Sequence, residues 1–325
     1  MINLGRRALF VAAASAGVPG WAATAAAVKR IAWVSHESAA SAAPFYVPFR
    51  DGMRTHGWIE GTNLVVDWWV AGSPQRLLQV LPEIGASRPD LVVAASGLVV
   101  RPLIDAQLPE PMLFVLSGDA VLAKAVDSLS RPGVNRTGIS FFSIELMAKR
   151  IELIRTLLPR ARKLAIFGWP PHSGEPVELE AARAAATQLG FAHRYFGIDS
   201  APQVDAALEQ ATQWQADAVL VFAGAVQSVH AERFAAFSLR RRMPTISAWS
   251  FFADVGNVMT YGPDRSEMYG RLAVMAHRIL QGARPAEIPV ELPTRFELVI
   301  NMKTARAIGL DVPRALLLRA DRVIA

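Results

Sequence analysis

After residue 28, short apolar runs alternate with longer amphipathic stretches along the whole chain. The run at residues 112–116 has the length of a buried strand, and the stretch at residues 74–86 places its apolar side chains at helical spacing. Strands that alternate with crossover helices are typical of a parallel sheet covered by helices on both faces. The pattern therefore predicts an α/β fold.

The alternation breaks once, in the turn-rich stretch at residues 131–138, and then begins again. Before the break we predict four strands and four helices, the last of them a helix at residues 120–129. At about 100–200 residues per domain, the length also fits two domains. We predict two Rossmann-like lobes with parallel sheets joined by a multi-strand hinge. Lobe 1 covers residues 28–138, completed by 265–290, and lobe 2 covers residues 139–264, completed by parts of 291–325.

Two lobes of this kind share one crevice. Open parallel sheets bind ligands outside the carboxyl ends of their strands, so each lobe contributes half of the contacts to an interlobar site. A ligand that touches both lobes stabilises the closed arrangement, and binding needs no bond chemistry. The fold therefore predicts a protein that works by closing on a small molecule.

Residues 1–27 have the composition of a secretory leader. Arg6 and Arg7 precede an apolar run that is too short to span a bilayer, and Ala23 and Ala25 offer a cleavage pattern of small residues. We expect a signal peptide that is cleaved and a periplasmic location. The paired arginines leave the twin-arginine route open beside the general secretory route.

Composition narrows the choice of function classes. The 325 residues are 52% hydrophobic and 19% charged, as in ordinary globular proteins. The chain has no Cys, which removes disulfides, thiol nucleophiles and the cysteine of a lipid anchor. A formal net charge of +6 is mild and its charges are scattered, so we expect no nucleic-acid partner.

Chemical motifs of common enzymes do not occur in the sequence. The signatures of serine hydrolases, P-loop NTPases, dinucleotide-binding enzymes and zinc proteases are missing, and the six histidines are dispersed without ligand spacing. We therefore expect no cofactor, no metal site and no catalytic residue. Glu37 and Asp119 form the one acid/base pair that an enzyme could use in the crevice.

Several motifs are spread over nearly the whole chain after the leader: residues 57–64, the Gly118-Asp119 turn, and residues 128–138, 261–264, 293–301 and 317–321. Together they resemble the ABC-transporter substrate-binding family that includes tryptophan and aromatic amino-acid binding proteins. The resemblance implies a type I periplasmic binding fold and a monomer that carries a small-molecule ligand to an inner-membrane ABC permease with its cytoplasmic ATPase. A ligand-binding subunit of a sensory receptor is the alternative, and an enzyme using the crevice is a further one.

The candidate ligand-binding residues lie mostly in the loops that follow the predicted strands. They are Ser35, His36, Ser96, Gly97, Ser117, Asp119, Trp169, Ala223, Trp249 and Tyr261. In similar proteins the loop after the third strand leads into a helix N-terminus that can hold a carboxylate, and Ser96 and Gly97 keep the backbone donors at this place. Trp169 and Trp249 offer rings that stack on a planar ligand or pack in the core, and Asp119 either binds an ammonium or caps the following helix.

The solute class follows from the resemblance and from the apolar residues at the strand ends. We expect an amino acid or a related carboxylate, with an aromatic or branched side chain as the first candidate; a purine or an aromatic acid would suit the same walls. Residues 223–226, Ala-Gly-Ala-Val, replace an Asp-Pro-containing turn that similar proteins carry. We therefore expect a specificity that differs from theirs.

Overall fold

The computed structural model describes residues 28–36, 39–71, 74–141, 144–172 and 174–325. The predicted leader at residues 1–27 and the candidate acid Glu37 lie outside the described residues. Within the described ranges, no helix has both the length and the apolar character that a membrane span requires.

The first half of the described chain forms sheet A, whose five strands are all parallel in the order β2-β1-β3-β4-β5. The strands are β1 (Lys29–Ser35), β2 (Leu64–Val70), β3 (Leu91–Ala94), β4 (Met112–Leu116) and β5 (Arg136–Ser140). Helices α1 (Ala39–Thr55) and α10 (Arg265–Leu280) cover one face, and α2 (Pro74–Ala86) and α3 (Gly97–Asp105) cover the other.

Burial on both faces explains the uninterrupted apolar runs of sheet A. Successive side chains of a strand point to opposite faces. In β1, Ile31 and Trp33 pack against α1 and α10, whereas Ala32 and Val34 pack against α2 and α3, and all four are fully buried. An alternating polar pattern would leave polar groups in one of these two cores, which is why parallel sheets have nearly continuous apolar strands.

Sheet B is formed by seven strands in the order β12-β11-β10-β9-β8-β6-β7, parallel except for the antiparallel pair β10 and β11. The strands are β6 (Lys163–Gly168), β7 (Ala192–Gly197), β8 (Ala218–Val221), β9 (Thr245–Ser247), β10 (Met259–Pro263), β11 (Phe296–Asn301) and β12 (Arg322–Ile324).

Helices also cover sheet B on both faces. One face carries α4 (Glu145–Leu157), α5 (Glu175–Gln188), α11 (Met302–Ala307) and α12 (Arg314–Leu317). The other face carries α6 (Gln203–Gln213), α7 (Ala225–Val229), α8 (Ala231–Arg241) and α9 (Ser250–Asp254). A short 3₁₀ helix, Pro285–Glu287, follows α10.

The chain passes between the sheets after β5, between β10 and α10, and again before β11. Before this last passage it still pairs with sheet A, because the N–H of Glu291 donates to the carbonyl of Gly138 at 2.9 Å and the N–H of Ser140 donates to the carbonyl of Glu291 at 3.0 Å. These connections are the multi-strand hinge of the predicted fold. The exact lobe boundaries stay a prediction.

Two local predictions are wrong, and both lie beside the turn-rich stretch. Residues 120–129 form turns instead of a helix: the Asp119 carboxylate caps a first turn by accepting the N–H groups of Val121 and Leu122, but Lys124 then adopts a left-handed φ of 55°, which a helix cannot accommodate. Residues 136–138, read as part of the turn-rich stretch, belong to β5. A Cβ on Gly138 would lie 2.1 Å from the carbonyl oxygen of Phe114, so only glycine permits this close pairing with β4.

Candidate functional site

The carboxyl ends of the strands of both sheets face one cavity of about 670 Å³, a volume that includes its opening to solvent. Sheet A contributes the residues that follow β1, β3, β4 and β5, and sheet B contributes the residues that follow β6, β8 and β9. The cavity therefore lies where the parallel sheets place a ligand site.

Eight of the ten residues predicted from the strand ends line this cavity. They are Ser35, His36, Ser96, Gly97, Ser117, Trp169, Ala223 and Trp249. Ser96 precedes α3, and its hydroxyl makes no hydrogen bond with the described residues. The structure thus brings these side chains together, and their contact with a solute stays a prediction.

Asp119 and Tyr261 lie elsewhere. The Asp119 carboxylate accepts from the N–H of Val121 at 2.7 Å and of Leu122 at 3.0 Å, so it caps the single turn that follows, although the predicted helix is not formed. The Tyr261 ring packs on the core of sheet B, 6.3 Å from the ring of Phe296. Neither side chain is among those that line the cavity.

Aromatic rings from both sheets form the walls. The ring of Phe45 stacks on that of Tyr269 at 5.5 Å, and Trp33 lies behind it, 6.3 Å from Tyr269. The hydroxyl of Tyr269 donates to the carbonyl of Ala95 at 3.0 Å, which fixes the ring at the end of β3. From the sheet B side, Trp249 meets Phe141 edge to face at 5.2 Å.

Arg265 is the main lining residue that the sequence patterns did not identify. Its guanidinium lies 3.4 Å from the ring centroid of Phe45 and 4.8 Å from that of Trp249. Arg265 begins α10 directly after β10, and Tyr269 follows one helical turn later on the same face. The sequence signal for this wall was an Arg and a Tyr, spaced four residues apart, at the start of a helix that follows a strand.

His36 is neutral in the folded protein at ordinary pH. Burial, and after it the positive charge of Arg265, lower the pKa of His36 from 6.5 to about 4. Charging this imidazole would place a second positive group beside the guanidinium. The cavity therefore holds a neutral imidazole next to a charged Arg265.

His36 is expected to make the fold sensitive to acid. The pKa of His36 is lower in the folded protein than in the unfolded chain. The stability that neutral His36 contributes is therefore present above about pH 6.5 and is lost as the pH falls towards 4. Relative to His36→Gln, the wild type should lose about 2–3 kcal/mol of unfolding free energy over this range, as urea titrations at each pH will measure. His172 is present in both proteins, so its contribution to the pH dependence cancels in this comparison. Equal pH profiles would contradict a buried neutral His36.

A hydrogen bond joins the two sheets below the cavity. The hydroxyl of Ser117, after β4, lies 2.8 Å from Nε2 of His172, in the loop after β6. His172 is buried, and burial lowers its pKa to about 4. The contact holds the two sets of strand ends together in the arrangement described.

Behind His172 lies a buried acidic cluster. His172, Glu175 and Glu178 have one ligand atom each within 4.8 Å of one another, a spacing that suits a metal ion. Protein groups already bind two of the three side chains, since Tyr195 donates to Glu175 at 2.7 Å and Ser117 pairs with His172. The buried guanidinium of Arg150 also attracts Glu178. We therefore interpret the cluster as structural.

A family model described as "ABC transporter substrate binding protein" matches residues 27–324. A curated protein named "Tyrosine-binding protein", from Clostridioides difficile (strain R20291), is 22% identical over 265 residues, which cover 81% of this chain and 76% of that protein. Both comparisons cover most of the chain.

Solved structures with the same fold also match. A conserved domain protein from Vibrio cholerae has a TM-score of 0.85 at 23% identity, covering 91% of this chain and 99% of its own. An ABC domain in complex with L-Trp, from Streptococcus pneumoniae, has a TM-score of 0.84 at 22% identity with the same coverage. These likenesses confirm the predicted fold class.

Proposed function

The chain belongs to the family of ABC transporter substrate-binding proteins, and from this premise we propose that it binds a small aromatic carboxylate between its two sheets. Aromatic amino acids and their deaminated relatives are the solutes in this class. The relatives supply the first indication, since one is named for tyrosine and another was solved with L-Trp.

One observation carries the proposal: a single cavity at the strand ends of both sheets combines aromatic walls with a guanidinium. Phe45 and Trp249 line the cavity on its two sides and can pack on a planar solute, with the fully buried Tyr269 behind Phe45. Arg265 offers a positive charge to a carboxylate. A solute with both a ring and a carboxylate fits both features.

Closure is the expected mechanical response to the solute. Sheet A and sheet B each contribute part of the lining, so a solute in the cavity contacts both. Ligand binding can shift an equilibrium between open and closed forms only through contacts that differ between them. Contacts with Trp249 and with Phe45 together meet this requirement, because a separation of the sheets would break one of the two.

The proposed partner is an inner-membrane ABC permease with its cytoplasmic ATPase. The family assigns a transport role, and the leader predicted at residues 1–27 would export the protein to the periplasm, where it would bind solute without altering a bond. Deleting its gene should abolish high-affinity uptake of the bound solute. Unchanged uptake would contradict the transport role.

The binding proposal is tested by ligand-induced stabilisation. Protein starting at Val28 is stripped of ligand by partial unfolding and refolding, and its unfolding midpoint is measured with aromatic amino acids, aromatic acids, sugars and nucleobases. A bound solute at about 100 times its Kd stabilises the folded state by about 2.7 kcal/mol, so one aromatic class should raise the midpoint by several degrees. A rise with sugars alone, or with none of the compounds, would contradict the proposal.

A further inference from the structure

The loop after β6 lies against the loop after β4, at the place where the strand ends of the two sheets meet. The hydroxyl of Ser117 is 2.8 Å from Nε2 of His172. Both groups belong to the protein, so this hydrogen bond needs no solute. His172 is 6% exposed, and its ring therefore makes the bond with little competition from water as long as the two loops stay together.

The backbones of the two loops are also in close contact. Gly174 directly precedes α5 on the sheet B side, and Gly118 lies directly after Ser117 on the sheet A side. A Cβ on Gly174 would lie 3.4 Å from the Cα of Gly118 and 3.1 Å from Cε1 of His172. The contact thus leaves no room for a large side chain at position 174.

The position of the contact makes it sensitive to a separation of the sheets. In sheet B, β9 and β8 lie between β6 and β10, the strand from which the chain crosses to α10. Three strand spacings correspond to about 14 Å. A hinge rotation moves groups at this distance by several ångströms, whereas a hydrogen bond is lost beyond roughly 3.5 Å. Opening of the cavity therefore breaks the contact.

We propose that Ser117, His172 and Gly174 form a latch that stabilises the closed arrangement of the two sheets without a solute. The latch does not depend on which solute binds, so it goes beyond the proposed function. Ser117 is then a positioning residue, which acts on the site through His172. The apparent Kd of a solute that binds the closed form equals its intrinsic Kd divided by the closed fraction, so the latch sets part of the affinity.

Loss of the Ser117 hydroxyl affects the open and closed forms unequally. In the closed form, Nε2 of His172 would be buried without its partner, whereas in the open form water would hydrate it. The ratio of closed to open molecules should therefore fall at least about fivefold in Ser117→Ala. Ser117→Thr keeps the hydroxyl and should restore most of the closed fraction.

The distance between two spin labels, one beside each sheet, measures the closed fraction in ligand-stripped protein starting at Val28. The chain has no Cys, so Leu78→Cys on α2 and Glu180→Cys on α5, both at exposed positions, create the two labelling sites. Pulsed electron paramagnetic resonance should show a substantial population at the distance that the described arrangement gives. This population should fall in Ser117→Ala.

Gly174→Leu provides the reference for the open form. Its backbone has a φ of −87° and a ψ of −11°, which leucine adopts without strain, but the leucine side chain cannot fit against Gly118 while the loops are in contact. The short distance should nearly vanish in this variant. A short distance that persists in folded Gly174→Leu would contradict the close packing of the two loops in solution and overturn the latch.

Two further variants separate the latch from other effects of losing a hydroxyl. Ser128→Ala is the matched control, because the Ser128 hydroxyl donates to the carbonyl of Arg131 within the sheet A side, and its distances should equal those of the wild type. His172→Phe should lower the closed fraction, and adding Ser117→Ala to it should lower the fraction no further. Unfolding midpoints establish that each variant is folded. Wild-type distances in folded Ser117→Ala, or the open distance alone in wild type, would overturn the latch and leave the proposed function intact.

Discussion

Replacing Trp249 with alanine is expected to lower the affinity for an aromatic carboxylate at least about 100-fold, which corresponds to about 2.7 kcal/mol. The indole covers the Arg265 guanidinium at 4.8 Å and meets the Phe141 ring at 5.2 Å. Both contacts exist without solute and therefore bear on stability, whereas the affinity falls because the solute loses an aromatic wall and the apolar area that it buries there. Calorimetric titration of wild type and variant with the solute found by the stabilisation screen measures the loss.

Trp249 is 5% exposed, so its removal also costs about 3–5 kcal/mol of stability, and a gentler variant is needed. Trp249→Phe keeps a ring over Arg265 and should lose less than about tenfold in affinity. Trp214→Ala is the matched control, because Trp214 packs near Lys163, 5.6 Å from its ammonium, and does not line the cavity. Unchanged affinity in folded Trp249→Ala would remove Trp249 from the site.

The two sheets and the position of the cavity could be predicted because each rests on a strong physical constraint. Strands covered on both faces must be apolar throughout, so runs such as residues 91–94 and 218–221 stand out in the sequence. The carboxyl ends of parallel strands then locate the site. This is why eight of the ten predicted residues line one cavity.

The local errors arose where tertiary contacts override local preference. Residues 136–138 include Gly138 and follow Pro132 and Gly133, so they read as a turn, but pairing with β4 and with Glu291 makes them part of a strand. The stretch at 120–129 has apolar residues at helical spacing. It stops after a single turn because Lys124 adopts a left-handed φ of 55°.

The cavity residues that lie on helices could not be predicted from the sequence, for a different reason. A hydrophobic pattern shows which face of a helix is apolar, but it does not show which end of that face lies beside a crevice. Phe45 on α1 and Arg265 and Tyr269 on α10 line the cavity because these two helices pack against each other over sheet A. The chain separates Phe45 from Arg265 by most of its length, so their stacking required the structure.

The buried charges beside sheet B were not predicted either, because Arg150 and Glu178 lie on two different helices and only the fold brings them together. Arg150 on α4 is 3% exposed, and its Nε donates to the carbonyl of Tyr261 at 2.8 Å. Burial lowers the pKa of Arg150 to about 10, whereas attraction to Glu178 opposes this shift. Burial also raises the pKa of Glu178 to about 7, and Arg150 limits the rise. Each charge thus makes the burial of the other less costly.

Arg150→Met is therefore expected to destabilise the protein by about 3 kcal/mol at pH 8. About 1.4 kcal/mol of this arises because Glu178, with a folded pKa of about 7, must take up a proton at pH 8 once its opposite charge is gone. The rest comes from loss of the hydrogen bond to the Tyr261 carbonyl. The folded pKa of Glu178 lies above the unfolded value, so ionising it costs stability as the pH rises through about 7. Without Arg150 this pKa rises further, and the deficit should shrink towards pH 6, where Glu178 is protonated. Urea titrations at both pH values measure it.

Two matched variants separate the buried charge from other effects of losing an arginine. Arg241→Met removes an exposed guanidinium that pairs with Glu209 at 2.7 Å, and it should cost less than about 1 kcal/mol at either pH. Adding Glu178→Gln to Arg150→Met should abolish the pH dependence of the deficit, since the stranded carboxylate is gone. A deficit that is equal at pH 6 and pH 8 in Arg150→Met would mean that the hydrogen bond to Tyr261, and not the charge of Glu178, sets the cost of losing Arg150.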